Sequence, residues 1–150
     1  MRFTVDSNIL IYALDRGTPA KHDIAATILT ALPLGDNFLA AQVIGEFLAV
    51  FRRRFRTELP VALAQAERWH ATLPIVATPA EAMLAAGRQS IDHDMQFWDC
   101  VIWQTARTHR AAILLSEDMH NGFSHGGLTV INPFAPANAK ALDALLKPSS

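Results

Sequence analysis

Arg2-Phe3-Thr4-Val5-Asp6-Ser7-Asn8-Ile9-Leu10-Ile11 is the stretch on which the fold turns. Phe3 to Val5 suits a buried strand, being short, aromatic and β-branched. Asp6 ends the run, and Ser7 or Asn8 is placed to cap a short helix through Ala13. The pattern returns late in the chain: Ala112 to Leu115 reads as a buried strand, followed by Ser116-Glu117-Asp118. A strand that runs straight into an acid twice over suggests parallel strands whose carboxyl ends share one crevice.

Between these two stretches short apolar runs alternate with helical periods. Gly17-Thr18-Pro19 breaks the chain before a helix from about 20 to 32, and a turn at 33–36 leads to a short strand at 37–40. A long helix is predicted from Gln42 into an arginine cluster, another from Val61 to Leu73, and a brief extended piece at 75–77. Thr78-Pro79-Ala80-Glu81 resembles a helix start, with Thr78 as cap, Pro79 at the first helical position and Glu81 completing a capping box. Phe97 to Thr108 is a strongly apolar helix, Leu128 to Ile131 a strand, and Asn138 to Lys147 a terminal amphipathic helix. Strands alternating with helices predict an α/β fold of three layers, a central and mostly parallel sheet flanked by helices.

Composition narrows the classes. The 150 residues suit a single domain, 1–150, with 51% apolar and only 18% charged residues, which excludes disorder. Apolar runs are too short for a membrane span of ~20 residues, and the N-terminus lacks the features of a signal peptide. Cys100 is the only cysteine, so neither an internal disulfide nor a thiolate zinc site can form. A cytoplasmic protein is expected. Net charge is −1, so any contact with nucleic acid must use a local patch. Pro148-Ser149-Ser150 is expected to fray.

Four acids stand where acids are least expected. Asp6 and Asp118 follow apolar strand runs, Glu46 lies among Val43, Ile44, Phe47 and Val50, and Asp99 falls within Phe97-Trp98-Asp99-Cys100-Val101. Buried acids need a partner. No Lys or Arg adjoins any of the four, so a hard divalent cation with oxygen ligands, Mg2+ or Mn2+, is the natural one. Such an ion serves phosphodiester hydrolysis by ionising a water and by relieving charge on the phosphate. Singly, Asp6 or Asp118 could be a capping acid, and Glu46 could pair with Arg52 or Arg53. Asp99 has no such structural explanation.

Asp6-Ser7-Asn8-Ile9-Leu10, Glu46, Trp98-Asp99, Ser116-Glu117-Asp118 and the late Ile131-Asn132-Pro133-Phe134 together resemble the PIN-domain ribonucleases, in particular the VapC-type toxins of bacterial toxin–antitoxin pairs. The resemblance spans essentially the whole chain. It implies a PIN-like fold in which Asp6, Glu46, Asp99 and Asp118 ligate Mg2+ or Mn2+ and cut RNA, with Ser116 and Asn8 supporting them. It also implies a homodimer held inactive by a small cognate antitoxin. Two alternatives within the family are a PIN nuclease of RNA processing and an inactive RNA- or protein-binding relative. Outside the family, Asp6 followed by Asn8 resembles the aspartyl-phosphate phosphatases, which need a second Asp where Asn8 stands.

Arg52, Arg53, Arg54 and Arg56 could hold the RNA backbone, although positive charge near a helix C-terminus is favoured in any case. Trp69, Trp98 and Trp103 could stack on bases, but the apolar setting of Trp98 and Trp103 predicts core positions for both. Glu117 and Asp94 are spare acids near the motifs, either able to support the site, and both read first as solvated loop acids. His93, His120 and His125 flank the acidic motifs without zinc-binding spacing, and His120 is the one nearest Asp118.

Overall fold

A computed structural model describes residues 1–148; the fraying expected of Ser149 and Ser150 falls outside the described residues. The chain begins with β1 (Phe3–Val5), α1 (Ser7–Leu14) and α2 (Pro19–Ala31), then β2 (Leu39–Ala40), α3 (Ala41–Arg54) and α4 (Leu59–Thr72). It continues through β3 (Ile75–Val76), the paired helices α5 (Ala80–His93) and α6 (Phe97–Thr108), and β4 (Ile113–Leu115). A hairpin of β5 (Ser124–His125) and β6 (Leu128–Ile131) precedes the last helix, α7 (Ala139–Leu146). No helix among the described residues is long and apolar enough to cross a membrane.

β4 is the middle of the sheet. It pairs in parallel with β1, Phe3 opposite Ile113, and with β6, Leu115 opposite Ile131, while β5 adds an antiparallel edge to β6. β1 and β4 are buried throughout, as expected of parallel strands covered on both faces. β2 and β3 form a separate parallel pair. Side chains join that pair to β1 where no ladder does. Thr4 Oγ1 donates to the Phe38 carbonyl at 2.7 Å, and the Phe3 amide donates to Asn37 Oδ1 at 2.9 Å. Asn37 Nδ2 in turn donates to the Leu32 carbonyl at 3.0 Å. Replacing the buried Asn37 with Ala leaves an amide and a carbonyl unpartnered, so we expect a loss of ~2 kcal/mol in urea unfolding, within the usual 1–3 kcal/mol for such groups.

One hydrophobic core runs from Phe3 to Leu142 and draws on every layer. α6 is buried from Cys100 to Ala106 because it is used on two sides. Ile102, Trp103 and Ala106 enter the main core, whereas Cys100 and Val101 pack with Ala86 of α5. Two helix starts differ from expectation. α1 is capped by Asp6, whose side chain accepts from the Ser7 amide, rather than by Ser7 or Asn8. α5 has Pro79 in its cap position, because the Thr78 hydroxyl is bonded across to Thr105 Oγ1 at 2.7 Å. That shift by one residue also takes Glu81 out of register for a capping box.

Candidate active site

The sheet ladder runs one residue past the strands and seats the first two site residues. The Asp6 amide donates to the Leu115 carbonyl at 2.9 Å, and the Ser116 amide to the Ile131 carbonyl at 3.1 Å. Asp6 and Ser116 are therefore neighbours at the carboxyl edge of β1 and β4, where Ser116 Oγ donates to Asp6 Oδ2 at 2.8 Å. The same hydroxyl accepts from the Asp118 and Met119 amides, which fixes the turn that carries Asp118. Asn8 completes the arrangement. Its Nδ2 lies 3.3 Å from Asp6 Oδ2, 3.1 Å from Asp118 Oδ2 and 3.4 Å from Ser116 Oγ, three acceptors for two hydrogens.

Glu46 and Asp99 come from the helices. Asp99 is the third residue of α6, with its amide donating to Gln96 Oε1 at 3.2 Å, in the first turn where a negative charge is favoured. Glu46 is half-buried on α3. One amide ties the two helices together: Gln42 Nε2 donates to Glu46 Oε1 at 2.8 Å and to the Trp98 carbonyl at 3.2 Å. Gln42 is a positioning residue that the sequence reading missed, though its place one helical turn before Glu46 was a signal for such a contact.

The electrostatics are those of acids crowded together. Burial lifts the Asp6 carboxyl from 3.8 to about 6; bonds from Ser116 and the Ser7 amide oppose the rise, and the charges of Glu46 and Asp99 add to it. Asp99 is raised too, first by burial and then by Glu46 and Asp118. The ion pairs among the described residues are Arg2–Asp36 and Lys21–Glu117, so none of these four carboxylates has a protein cation beside it. An oxygen-only donor set, negative and mutually repelling, fits a hard divalent ion. It is not a closed cage: no three His, Cys, Asp or Glu side chains among the described residues stand ready to grip one ion. An open site suits Mg2+, which keeps several waters and takes one or two carboxylates directly.

Sequence comparison bears on this geometry. The family model for the PIN domain matches residues 3–125. The chain belongs to the PIN domain family. Comparison with curated protein sequences gives no match. Among solved structures the PIN domain of this chain is similar to Mycobacterium tuberculosis VapC20, described as a sarcin–ricin loop cleaving toxin, at 20% identity and a TM-score of 0.65, covering 77% of this chain and 89% of that one. It is similar to a toxin–antitoxin complex from Klebsiella pneumoniae at 21% identity and 0.61, covering 87% and 96%. VapBC2 from Rickettsia felis, bound to a DNA fragment from its promoter, aligns at 15% identity and 0.62, covering 87% and 97%. These likenesses show a shared fold.

Other expected residues of this PIN domain fall variously. Arg52, Arg53 and Arg54 are exposed on the last turn of α3, and Arg56 is exposed just beyond it. Arg52 lies ~9 Å farther along the helix axis than Glu46, at 1.5 Å per residue. Neither Arg52 nor Arg53 pairs with Glu46, whose hydrogen-bond partner is Gln42. Trp69 and Trp103 are buried, but Trp98 is 51% exposed, against the expectation of a core position. The first turn of α6 projects beyond its neighbours, and continuous burial begins only at Cys100. Glu117 is no solvated loop acid, since Lys21 Nζ reaches it at 2.8 Å and the Tyr12 hydroxyl at 3.2 Å. Asp94 closes α5 in the left-handed conformation, φ 51°, on the rim of a cleft that also holds Asp99, Asp118, His93 and His120.

Proposed function

We propose that this PIN domain is a Mg2+- or Mn2+-dependent endoribonuclease and the toxin of a toxin–antitoxin pair. The observation that carries the reading is the contrast among its acids. Glu117 has its lysine, whereas Asp6, Glu46, Asp99 and Asp118 lie near enough for their charges to act on one another and have no cation of the protein's own beside them. A bound divalent ion would supply Lewis-acid relief of charge on the phosphate and a water ionised near neutral pH.

The chain's own residues supply position. Asp99 and Glu46 keep negative charge facing the crevice, Gln42 sets the spacing of their helices, and Asn8 holds Asp6 and Asp118 apart at a hydrogen-bonded distance. Ser116 keeps one oxygen of Asp6 engaged so that the carboxylate meets the crevice in a single orientation. Support for the toxin role comes from the similar structures, a sarcin–ricin loop cleaving toxin and two toxin–antitoxin complexes. A homodimer and a small antitoxin laid over the surface belong to the same proposal.

The test is direct. Purified protein is given single-stranded RNA with Mn2+, Mg2+ or EDTA, and internal cuts are expected only with the divalent ions. Induction in a bacterial host should stop growth, and co-expression of a short reading frame found just upstream of its gene should restore it. Equal cleavage in EDTA and Mn2+ defeats the metal chemistry; growth unaffected by an active nuclease defeats the toxin role.

A further inference from the structure

A divalent ion on the acids would meet the phosphate being cut, and the rest of the polyanion needs a hold elsewhere. The cleft holding Asp99 and Asp118 is lined also by Phe123 and His93, and His93 lines a second cleft with Arg88, Asp92, Arg107 and His125, where two arginines outnumber the one acid. Rings cluster where the two clefts meet at His93. The His93 ring stands 5.6 Å from Phe123 and 5.4 Å from His125, centroid to centroid, and Phe123 is backed by the buried Trp103 at 4.9 Å. Gln104 Nε2 and Gln89 Oε1, joined at 2.7 Å and both buried, brace the helices beneath.

Two guanidinium groups stand at the far end. Arg88 and Arg107 are exposed, and neither forms an ion pair among the described residues. Arg107 lies against the hairpin. Gly126 has φ +59°, and a Cβ there would lie 2.6 Å from the Arg107 Cζ, so the glycine leaves room for the guanidinium to rest on its backbone. A planar guanidinium with its donors free is suited to a phosphate. Basic groups interleaved with rings are what a single strand requires, since each base offers a face for stacking and each phosphate a charge.

Resting on the nuclease reading, we propose that this groove between α5, α6 and the β5–β6 hairpin carries single-stranded RNA away from the carboxylates. Bases lie against Phe123, His93 and His125, and two phosphates meet Arg107 and Arg88. The arginines at the end of α3 are then not the main hold on substrate.

The experiment compares wild type, Arg88→Ala/Arg107→Ala, and Arg52→Ala/Arg53→Ala/Arg54→Ala on one labelled single-stranded RNA. Cleavage is followed in Mn2+, and binding is measured by anisotropy in EDTA across a salt series. The groove variant should raise KM at least tenfold with kcat within twofold. Its slope of log affinity against log salt should flatten by ~1.4, at ~0.7 per lost phosphate contact. The α3 variant should change KM less than threefold. Arg88→Glu alone, at an exposed helical position, guards against misfolding at Arg107 and should raise KM at least fivefold. A groove variant with wild-type KM and salt slope, or one impaired in kcat alone, overturns the proposal while the nuclease stands. A wild-type protein that neither binds nor cuts RNA removes both readings together.

Discussion

Asp99→Asn should abolish RNA cleavage, by more than a hundredfold, while leaving the protein folded and as stable as before in EDTA or more so. The substitution keeps the shape of the side chain and removes the charge that would face a cation. Outer-shell partners of a metal commonly cost 10–100-fold when lost, so a direct ligand should cost more than about a hundredfold. The direction of the stability change follows from the surroundings. Burial, Glu46 and Asp118 all disfavour the ionised form of Asp99, so the wild-type charge is a strain in the metal-free fold. A structural Asp99 would behave oppositely, with lost activity tracking lost melting temperature. Cleavage and thermal unfolding measured on one preparation separate the two, and a folded variant cutting at the wild-type rate ends the assignment.

Metal-free protein should lose stability as pH rises from about 4 to 6, the reverse of ordinary acid denaturation. Asp6 ionises near 3.8 when unfolded and near 6 when folded. Between those values the folded protein binds the greater number of protons, so unfolding becomes easier with each step up in pH. The contribution is complete below pH ~3.8 and gone above ~6, and the difference between the two values corresponds to about 3 kcal/mol. Urea midpoints in EDTA at pH 4.5 and 7.0 read it out, and Asp6→Asn should remove most of the slope. Adding Mn2+ at pH 7.0 should raise stability again, since a ligand of the native state alone contributes RT ln(1 + [L]/Kd). Stability that is flat or rising across this interval would contradict a buried Asp6 without a cation.

The parts of the fold that were legible are those with a strong local pattern. α6 occupies Phe97–Thr108 and β6 Leu128–Ile131, as their apolar runs predict, and the two strand–acid junctions fall at the sheet's carboxyl edge. What escaped has no local signature. β5 is two exposed polar residues whose only reason to be a strand is pairing with β6. The Thr78 cap was outcompeted by a hydroxyl on a helix 27 residues away. Trp98 has the composition of a core residue and the position of a helix end, and position decided. In the candidate site, the acids stood out in the sequence because their neighbours are apolar. Gln42, the Lys21–Glu117 pair and the ring-lined groove did not, because each depends on contacts between segments distant in sequence.

The join between β1 and the β2–β3 pair has a consequence for how this protein tolerates change. A ladder of backbone amides survives almost any substitution, since every residue type except proline brings the same donor and acceptor. Here the joining bonds belong to Asn37 and Thr4, so single codon changes can unpick them. β2 passes directly into α3, and α3 carries Glu46. A boundary held by two side chains thus lies just before the helix that carries one of the four candidate acids. Variants at Asn37 should be able to shift Glu46 before they unfold the domain, which makes this seam, rather than the core, the place where the proposed activity and foldedness come apart.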